Sequence, residues 1–548
     1  MLFNKVFLIV FIFYNVSDVS AQVTLEKSTL PIILINTPGQ QAVPNEPKIM
    51  ADMEILYNGP GKINLLSDSS RSFKGTIGVE LRGSSSQSLS PKKPYGIETR
   101  HIDGTKFNIS LLGMPKENDW ILLAPYSDKS LIRDVLIHRI ANEMMPYASR
   151  SKMCEVVVNG QYQGVYVLME KIKRDKNRVN INELLARHNS GDSLTGGYII
   201  KIDKTTGSQT PGGFNTSVFG SNGKRTYYQY DEPEANVITS SQKVYIQSLL
   251  TNFETTFTTD NWKDPEKGFR KYADENSMID FMILQEVANN VDGYRLSSYL
   301  YKDLDSKNKK IMFGPVWDFN LGFGNANYCS GGTTNVMAYD FASRCPNDGF
   351  GLPFYWPLVT QDSAYGVHLY QRWSTLRKGI LQEQKLHFII DSLVQHMGEA
   401  VGRNFQKWPV LGTYVWPNLY VGGSHPNEIK YLKDWISARL KFLDGAFQQF
   451  TAPKYYPERF FPPHVYPNPA LANQPINFKY YVHDYDRIRL EVYDLAGHHI
   501  TTVNDKEHAN GVNGIVYKSI TLPAGIYIYK LFLKTSPNAL KIGKIAVR

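Results

Sequence analysis

Cysteine is scarce in this chain of 548 residues: there are three, Cys154, Cys329 and Cys345. No two are spaced C-x-x-C, which sets aside the common structural zinc clusters. Long apolar runs are missing as well, since none beyond the N-terminal stretch approaches the ~20 residues a membrane-spanning helix needs. Sixty Lys and Arg stand against 51 Asp and Glu, a net charge of +9. That excess is scattered rather than gathered into runs, so no nucleic-acid partner is expected. The sequence also lacks a G-x-x-x-x-G-K-[ST] loop, a G-x-S-x-G elbow and an H-E-x-x-H pair. P-loop hydrolysis, serine-elbow chemistry and zincin-type proteolysis lose their signatures with them. No repeat of fixed period and no low-complexity tract interrupts the chain.

The N-terminus MLFNKVFLIVFIFYNVSDVSAQ has a charged residue at Lys5, a short apolar run from Val6 to Tyr14, and Val19-Ser20-Ala21 before Gln22. Small residues at those positions suit signal peptidase, and residues 1–21 are expected to be a signal peptide. The run is too short for an anchor, and no cysteine near Gln22 offers a lipid attachment point. A mature chain without a transmembrane segment is the expectation. Its composition, 42% hydrophobic and 20% charged, is that of a globular protein of two or three domains. Aromatics at 13%, with 34 Tyr, favour strands. In an oxidising compartment Cys329 and Cys345 can close a loop, or remain free; Cys154 opens an apolar strand and reads as a buried thiol.

Strand signals dominate the first half. LPIILI, IMADMEILY, IGVELRG, PYGIETR, CEVVV, GVYVLME and GGYIIKID are apolar or alternating runs, and Asn159-Gly160 between two of them is a hairpin turn. Ser127 to Ser130 reads as an N-cap before a helix with Ile132, Val135, Leu136 and Ile140 on one face. After residue 240 the texture becomes helical. One helix carries Met278, Phe281, Met282 and Gln285 and stops near Asn289-Asn290; others cover about 365–400 and 427–449. Strands first and helices later predict an α+β domain of two lobes over 22–450. Prolines crowd 451–465 as a linker, and 466–548 read as short strands of a small all-β sandwich. An accessory carbohydrate-binding sandwich would show the same texture.

Two carboxylates stand out. Asp292 directly follows a helix, Asp318 directly follows a strand, and SSYLYKD and KIMFGPV between them can pair as a hairpin that brings both to one sheet edge. That pairing suits phosphoryl transfer, one carboxylate orienting a hydroxyl and the other, with Asn320 beside it, holding a divalent metal. Read singly, Asp292 is equally a turn residue and Asp318 a cap. Arg82, Lys92 and Lys93 flank a Ser/Gly-containing turn that can clamp phosphates or be a solvated loop. Lys201, in an apolar strand, needs a partner such as Asp203 or a ligand phosphate. Glu170 can hold a lysine or face a nucleotide, and Trp317 can stack on a base or fill the core.

These segments together resemble the spore-coat (CotH) kinase family. The matching residues are Leu81-Arg82-Gly83-Ser84 through Ser90-Pro91-Lys92-Lys93 and Tyr95; Asn159-Gly160-Gln161-Tyr162 with Gly164-Val165-Tyr166 and Glu170; Gly197-Tyr198 to Lys201 and Asp203; Asp292-Gly293-Tyr294; and Trp317-Asp318 with Gly324. The resemblance implies an atypical protein kinase fold that uses ATP and a divalent cation, Mg or Mn, and acts on extracytoplasmic proteins. It implies Asp292 as the catalytic aspartate, Asp318 as the metal-binding one, and Arg82, Lys92, Lys93, Glu170, Lys201 and Trp317 on the nucleotide side. Two features depart from the pattern: Asp318-Phe319-Asn320 lacks the glycine of D-F-G, and Ser297-Ser298 stand where an amide metal ligand is often found. A catalytically inactive scaffold and a carboxylate-pair hydrolase are the alternative readings. Residues 466–548 resemble the type A sorting domain of the type IX secretion system, through Tyr466-Pro467-Asn468-Pro469, Val492-Tyr493-Asp494 with Gly497, Leu522-Pro523-Ala524-Gly525-Ile526-Tyr527 and Lys544-Ile545-Ala546-Val547. That resemblance implies a Gram-negative bacterium of the Bacteroidota type, export by Sec and then by the type IX machinery, and a secreted or cell-surface protein.

Overall fold

The computed structural model describes residues 23–206, 212–219, 224–259, 261–451, 464–482, 487–507, 514–533 and 539–548. The expected signal peptide and nearly all of the expected linker lie outside them. Mixed helix and sheet content fits the α+β expectation.

Seven strands form a closed barrel in the order Ile32–Asn36, Ile49–Leu56, Phe73–Leu81, Tyr95–Arg100, Asp119–Leu123, Gln161–Glu170, Ser151–Val158. Six seams are antiparallel. The seventh, which closes the barrel, is parallel, with Ile32 opposite Glu155. Alternation decides the two faces. Trp120, Leu122, Cys154, Val156, Tyr166 and Leu168 fill one core with Ile33, Ile35 and Met53, whereas Ile121, Met153, Val165, Val167 and Met169 face the helices. The hairpin turn is Asn159-Gly160, both with positive φ (50° and 73°), the type I′ geometry that matches strand twist.

A second sheet runs Gly213–Phe219, Arg225–Glu232, Tyr198–Ile202, Ser298–Lys302, Met312–Phe313. Its last pair sets Leu300 opposite Phe313, so the hairpin expected between Asp292 and Asp318 is present. Helices Arg133–Ala141, Ser240–Thr256, Glu275–Ala288, Ser363–Arg377, Glu383–Met397, Ala400–Lys407 and His425–Gln449 complete the domain. The helix before Asp292 ends at Asn289, whose φ of 40° is the left-handed stop that an asparagine tolerates. The expected cap at Ser127 to Ser130 works differently. Ile132 occupies the cap position, and Asp128 reaches forward to accept from the Arg133 amide at 2.9 Å. From His464 onward every described element is a strand, starting two residues inside the span expected as linker.

One buried cluster locks the helical part. Glu286 and Arg439, both without solvent exposure, pair at 3.1 Å. Glu286 also accepts from the amides of Ala338 and Tyr339 and from the Tyr294 hydroxyl. Removing one partner leaves a buried charge without compensation, which costs about 3–5 kcal/mol. Arg439→Met should therefore lower unfolding free energy by about that amount, and Glu286→Gln with Arg439→Met together by less than the two single losses added; equilibrium denaturation of the three variants measures it.

Candidate active site

A cleft of about 540 Å³ opens between the barrel and the second sheet. Four of its walls carry the charged groups of interest: the loop after strand Phe73–Leu81, the end of strand Tyr198–Ile202, the turn after Asn289, and the segment after Met312–Phe313; the helix Arg133–Ala141 and the stretch 415–417 line it as well. The first wall is Arg82 with Ser84, Ser85 and Ser86. Gly83 has φ of 95°, and a Cβ there would meet Ser86 Oγ at 2.1 Å, so only glycine lets the loop fold so tightly. The Ser84 hydroxyl lies 2.8 Å from that of Thr206, and Lys204 Nζ donates to Ser85 Oγ at 3.1 Å, tying the loop to the facing sheet.

The second wall carries Lys201, Asp203 and Lys204. Lys201 pairs with Asp231 at 2.9 Å rather than with the Asp203 expected for it, because Asp231 follows on the adjacent strand Arg225–Glu232. Desolvation pushes the Asp203 carboxyl up, against the pull of the Lys204 amide and the Lys201 charge. Asp292 and Asp318 complete the lining with Trp317 and Asn320. The two aspartates expected at one sheet edge thus face one cleft. Asp292 Oδ1 accepts from Arg295 Nη2 at 2.9 Å.

Asp318 adopts φ of 59°, as Ser297 (47°) and Tyr294 (67°) do nearby. Left-handed non-glycine residues are costly and persist where surrounding structure enforces them, typically at sites of chemistry. Asp318 is exposed to solvent through the cleft, which tempers the desolvation that the surrounding protein imposes on its carboxylate. Desolvation raises its pKa, and the charges of Asp292 and Asp203 raise it further, while Arg82 and Lys204 oppose. Asp134, on the helix across the cleft, is raised too, by desolvation first and then by Asp318, despite accepting from the Phe319 amide at 2.7 Å. Burial pushes the Arg82 guanidinium down against the attraction of Tyr299, Asp318, Asp203 and Asp231. It lies 5.4 Å from the Trp317 ring centroid and makes no ion pair among the described residues.

Three expected nucleotide-side residues are engaged elsewhere. Lys92 is buried, donating to the Val165 carbonyl (2.6 Å), Asn404 Oδ1 (2.8 Å) and the Pro125 carbonyl (3.2 Å); it joins the barrel to helix Ala400–Lys407. Burial lowers its pKa to about 7. Lys93 donates to the carbonyls of Gln87 and Ser90 and braces the loop from behind. Glu170, fully buried, holds Arg150 through two bonds of 2.8 and 2.9 Å. None of the three lines the cleft, because each is taken up by protein partners away from it, Lys92 and Lys93 in the connection before strand Tyr95–Arg100 and Glu170 at the end of strand Gln161–Glu170.

Lys204, Asp134, Arg295 and Asp348 line the cleft without having been singled out from the sequence. Lys204 was within reach of sequence reasoning, as a second cation closing the strand that holds Lys201. Asp134 faces its partner across a tertiary contact that no local pattern reveals. Among the described residues no group of three or more His, Cys, Asp or Glu converges as a metal cage. Asp318 with Asp203 instead offers two carboxylates with hard oxygen donors lining one cleft. Such a set fits a cation that takes its remaining ligands from phosphate and water.

Residues 79–443 match the model of a family described as CotH kinase protein. Residues 464–545 match a secretion system C-terminal sorting domain, of the type IX kind. No curated protein matches the chain in sequence. Among solved structures, an alkylpurine DNA glycosylase of Pseudomonas fluorescens bound to DNA containing an abasic site analog is similar at 9% identity and a TM-score of 0.14, covering 38% of this chain and 64% of that one, less than two thirds of its length. A likeness that slight carries no argument. No helix of the described residues is long and apolar enough to cross a membrane.

Two outcomes check this assignment of roles. Lys92→Met should destabilise the fold by about 1–3 kcal/mol, the cost of buried acceptors losing their donor, while ligand affinity in the still-folded protein is unchanged. Asp134 is raised above its ordinary 3.8 in the folded state. The folded form therefore holds the extra proton, and its contribution is greatest at low pH and lost as pH rises through the folded value. Asp134→Asn should then gain stability relative to wild type on going from pH 5 to pH 8, by on the order of 1 kcal/mol or more; thermal melts across that range decide it.

Proposed function

The chain belongs to the CotH kinase family and carries a secretion sorting tail, and from that premise we propose that it is a secreted, metal-dependent protein kinase that transfers phosphate from ATP to Ser or Thr hydroxyls of extracytoplasmic proteins. What carries the reading is the composition of one cleft: two carboxylates, Asp292 and Asp318, opposite the cations Arg82, Lys201 and Lys204. The layout is read as kinase-like, the barrel part forming one lobe and the helical part the other.

In this reading Arg82 and Lys204 bind the phosphates of ATP from opposite walls, and the Ser84 to Ser86 loop covers them. Arg82 suits the task because it makes no ion pair among the described residues, and a guanidinium fork matches phosphate geometry. Trp317 backs Arg82 and fixes its plane. Lys201, already neutralised by Asp231, contributes less charge than the sequence suggested. Asp318, Asp203 and Asn320 hold a divalent cation, Mg or Mn, which when bound neutralises charge on the phosphoryl group in flight. Asp292 orients the acceptor hydroxyl and takes its proton. Its Oδ2 has no partner among the described residues, and the carboxylate is 20% exposed toward the cleft. The absence of the D-F-G glycine is accommodated by Asp318 itself taking the left-handed conformation.

A signal peptide over 1–21, removal of the 466–548 region after export by the type IX machinery, and an origin in a Bacteroidota-type bacterium belong to the same proposal. The test is a pair of substitutions that should fail differently. Asp318→Asn should weaken metal-dependent ATP binding, because a neutral amide replaces an anionic ligand of a hard cation. Asp292→Asn should leave ATP binding within about twofold and lower turnover by roughly a hundredfold or more. Calorimetric titration of ATP with Mg or Mn, alongside phosphate transfer to dephosphorylated casein, measures both. No ATP binding by the wild type with either metal would end the kinase reading.

A further inference from the structure

The loop closed by the Cys329–Cys345 disulfide, 16 residues apart in sequence, surrounds the residue on which transfer would depend. Tyr328, immediately before the bridge, points its hydroxyl at Asp292 Oδ1 at 3.5 Å. Within the loop, the Phe341 ring lies 4.1 Å beneath the Arg295 guanidinium. Three residues after the bridge, Asp348 Oδ1 accepts from Arg295 Nη1 at 2.8 Å. Arg295 is thus shared, Nη2 to Asp292 and Nη1 to Asp348, with Nε and Nη2 also donating to the Val291 carbonyl at 3.3 and 3.2 Å and its side chain 2% exposed.

The two halves of the loop are held unequally. The first is anchored by Asn289, which donates to the carbonyls of Ser330, Gly331 and Thr333, by Glu286, and by Arg439, which donates to the carbonyls of Thr334 and Val336. The stretch 342–350, which runs through Cys345 and beyond it, is largely exposed, with Ser343, Pro346, Asn347, Gly349 and Phe350 open to solvent. Its ties to the body are the disulfide, the Arg344 bonds to the Cys329 and Met337 carbonyls, the Lys224 bond to the Asp348 carbonyl, and the Asp348–Arg295 pair itself.

Sharing has a chemical effect. A guanidinium held by a carboxylate at each terminal nitrogen is fixed in its plane, whereas one that loses either partner can turn away from the other. While Asp348 occupies Nη1, Asp292 receives Nη2 alone and keeps Oδ2 for a hydroxyl. We propose that the bridged segment is a positioning device for Asp292: the disulfide holds Asp348 against Arg295, Arg295 fixes Asp292 through one oxygen only, and the site is competent with the bridge formed and impaired with it reduced. Reduction by a dithiol breaks the S–S bond, delivers two electrons and two protons to leave Cys329 and Cys345 as thiols, and converts the reductant to its own disulfide. Asp348 and Arg295 are positioning residues here. The consequence for turnover rests on the role given to Asp292 above, whereas the consequence for its conformation does not.

The experiment uses the full chain, bridged or reduced with dithiothreitol under native conditions and checked by thiol counting, together with Asp348→Asn, Asp348→Glu and Cys345→Ser. Amide hydrogen exchange over 291–297 reads the Asp292 turn, with 278–286 as internal reference. ATP–Mg calorimetry and transfer to dephosphorylated casein read the site. Reduction and Asp348→Asn should each speed exchange at 291–297 by about tenfold with the reference segment unchanged. They should lower kcat by about tenfold or more with KM for ATP within about twofold. Asp348→Glu, which keeps the second carboxylate, should recover part of both. Unchanged exchange at 291–297 after complete reduction would overturn the proposal, as would faster exchange that also spans 278–286, since the bridge would then serve general stability. Local loosening of 291–297 in a chain that transfers no phosphate even when bridged would uphold the positioning device and sink the kinase reading instead.

Discussion

An ion pair out of reach of water, Glu286 with Arg439, is the contact on which the cleft depends. Glu286 lies six residues before Asp292 on the helix that delivers it, and Arg439 comes from the long helix near the end of the domain. Between them they take the amides of Ala338 and Tyr339 and the carbonyls of Thr334 and Val336. A helix, a loop and a distant helix are therefore fixed by two charges that tolerate no misplacement, because each unpaired charge in that interior is costly. Tyr294, within the Asp292 turn, bonds to the same carboxylate. The position of the candidate catalytic residue follows from the pairing of a buried one.

The cleft itself runs on the opposite condition. Glu286 and Arg439 have every side-chain nitrogen and oxygen bonded, whereas the Asp318 carboxylate has no hydrogen bond or ion pair among the described residues. Desolvation pushes Asp318 and Asp134 toward the protonated form, Asp292 and Asp203 add to it at Asp318 and Asp318 adds to it at Asp134, and Arg82 makes no ion pair among the described residues. Charges left without ion-pair partners on facing walls are a mark of functional clefts, and here they suit a ligand that brings charges of both signs.

Much of the framework was legible because it is written in local pattern. Period-two alternation marked the barrel strands, Asn159-Gly160 marked the turn, and the hairpin between Asp292 and Asp318 followed from two short apolar runs. Closure of the barrel was not legible, since the seam of Ile32–Asn36 with Ser151–Val158 joins segments that no local signal relates. Long-range pairing also decided which charged residues reach the cleft. Lys92 and Glu170 carried the right chemistry in the right motifs, yet Asn404, 312 positions away, claims the first and Arg150 the second. Lys201 found Asp231 across the sheet instead of Asp203 along the strand. Motif position told where a charge sits on the chain; distant partners told which way it faces.

The same distant partners bear on when the molecule becomes a folded object. Ile32 waits for Glu155 to close the barrel, Glu155 waits for Arg403, 248 positions on, and Glu286 waits for Arg439. Chains whose decisive contacts are this non-local collapse slowly, because loop-closure entropy must be overcome before any contact repays it. During synthesis the N-terminal half consequently stays unfinished until nearly the whole domain has emerged. The topology that builds the cleft therefore also sets the moment at which the cleft can first exist, when the helix carrying Arg439 has been made.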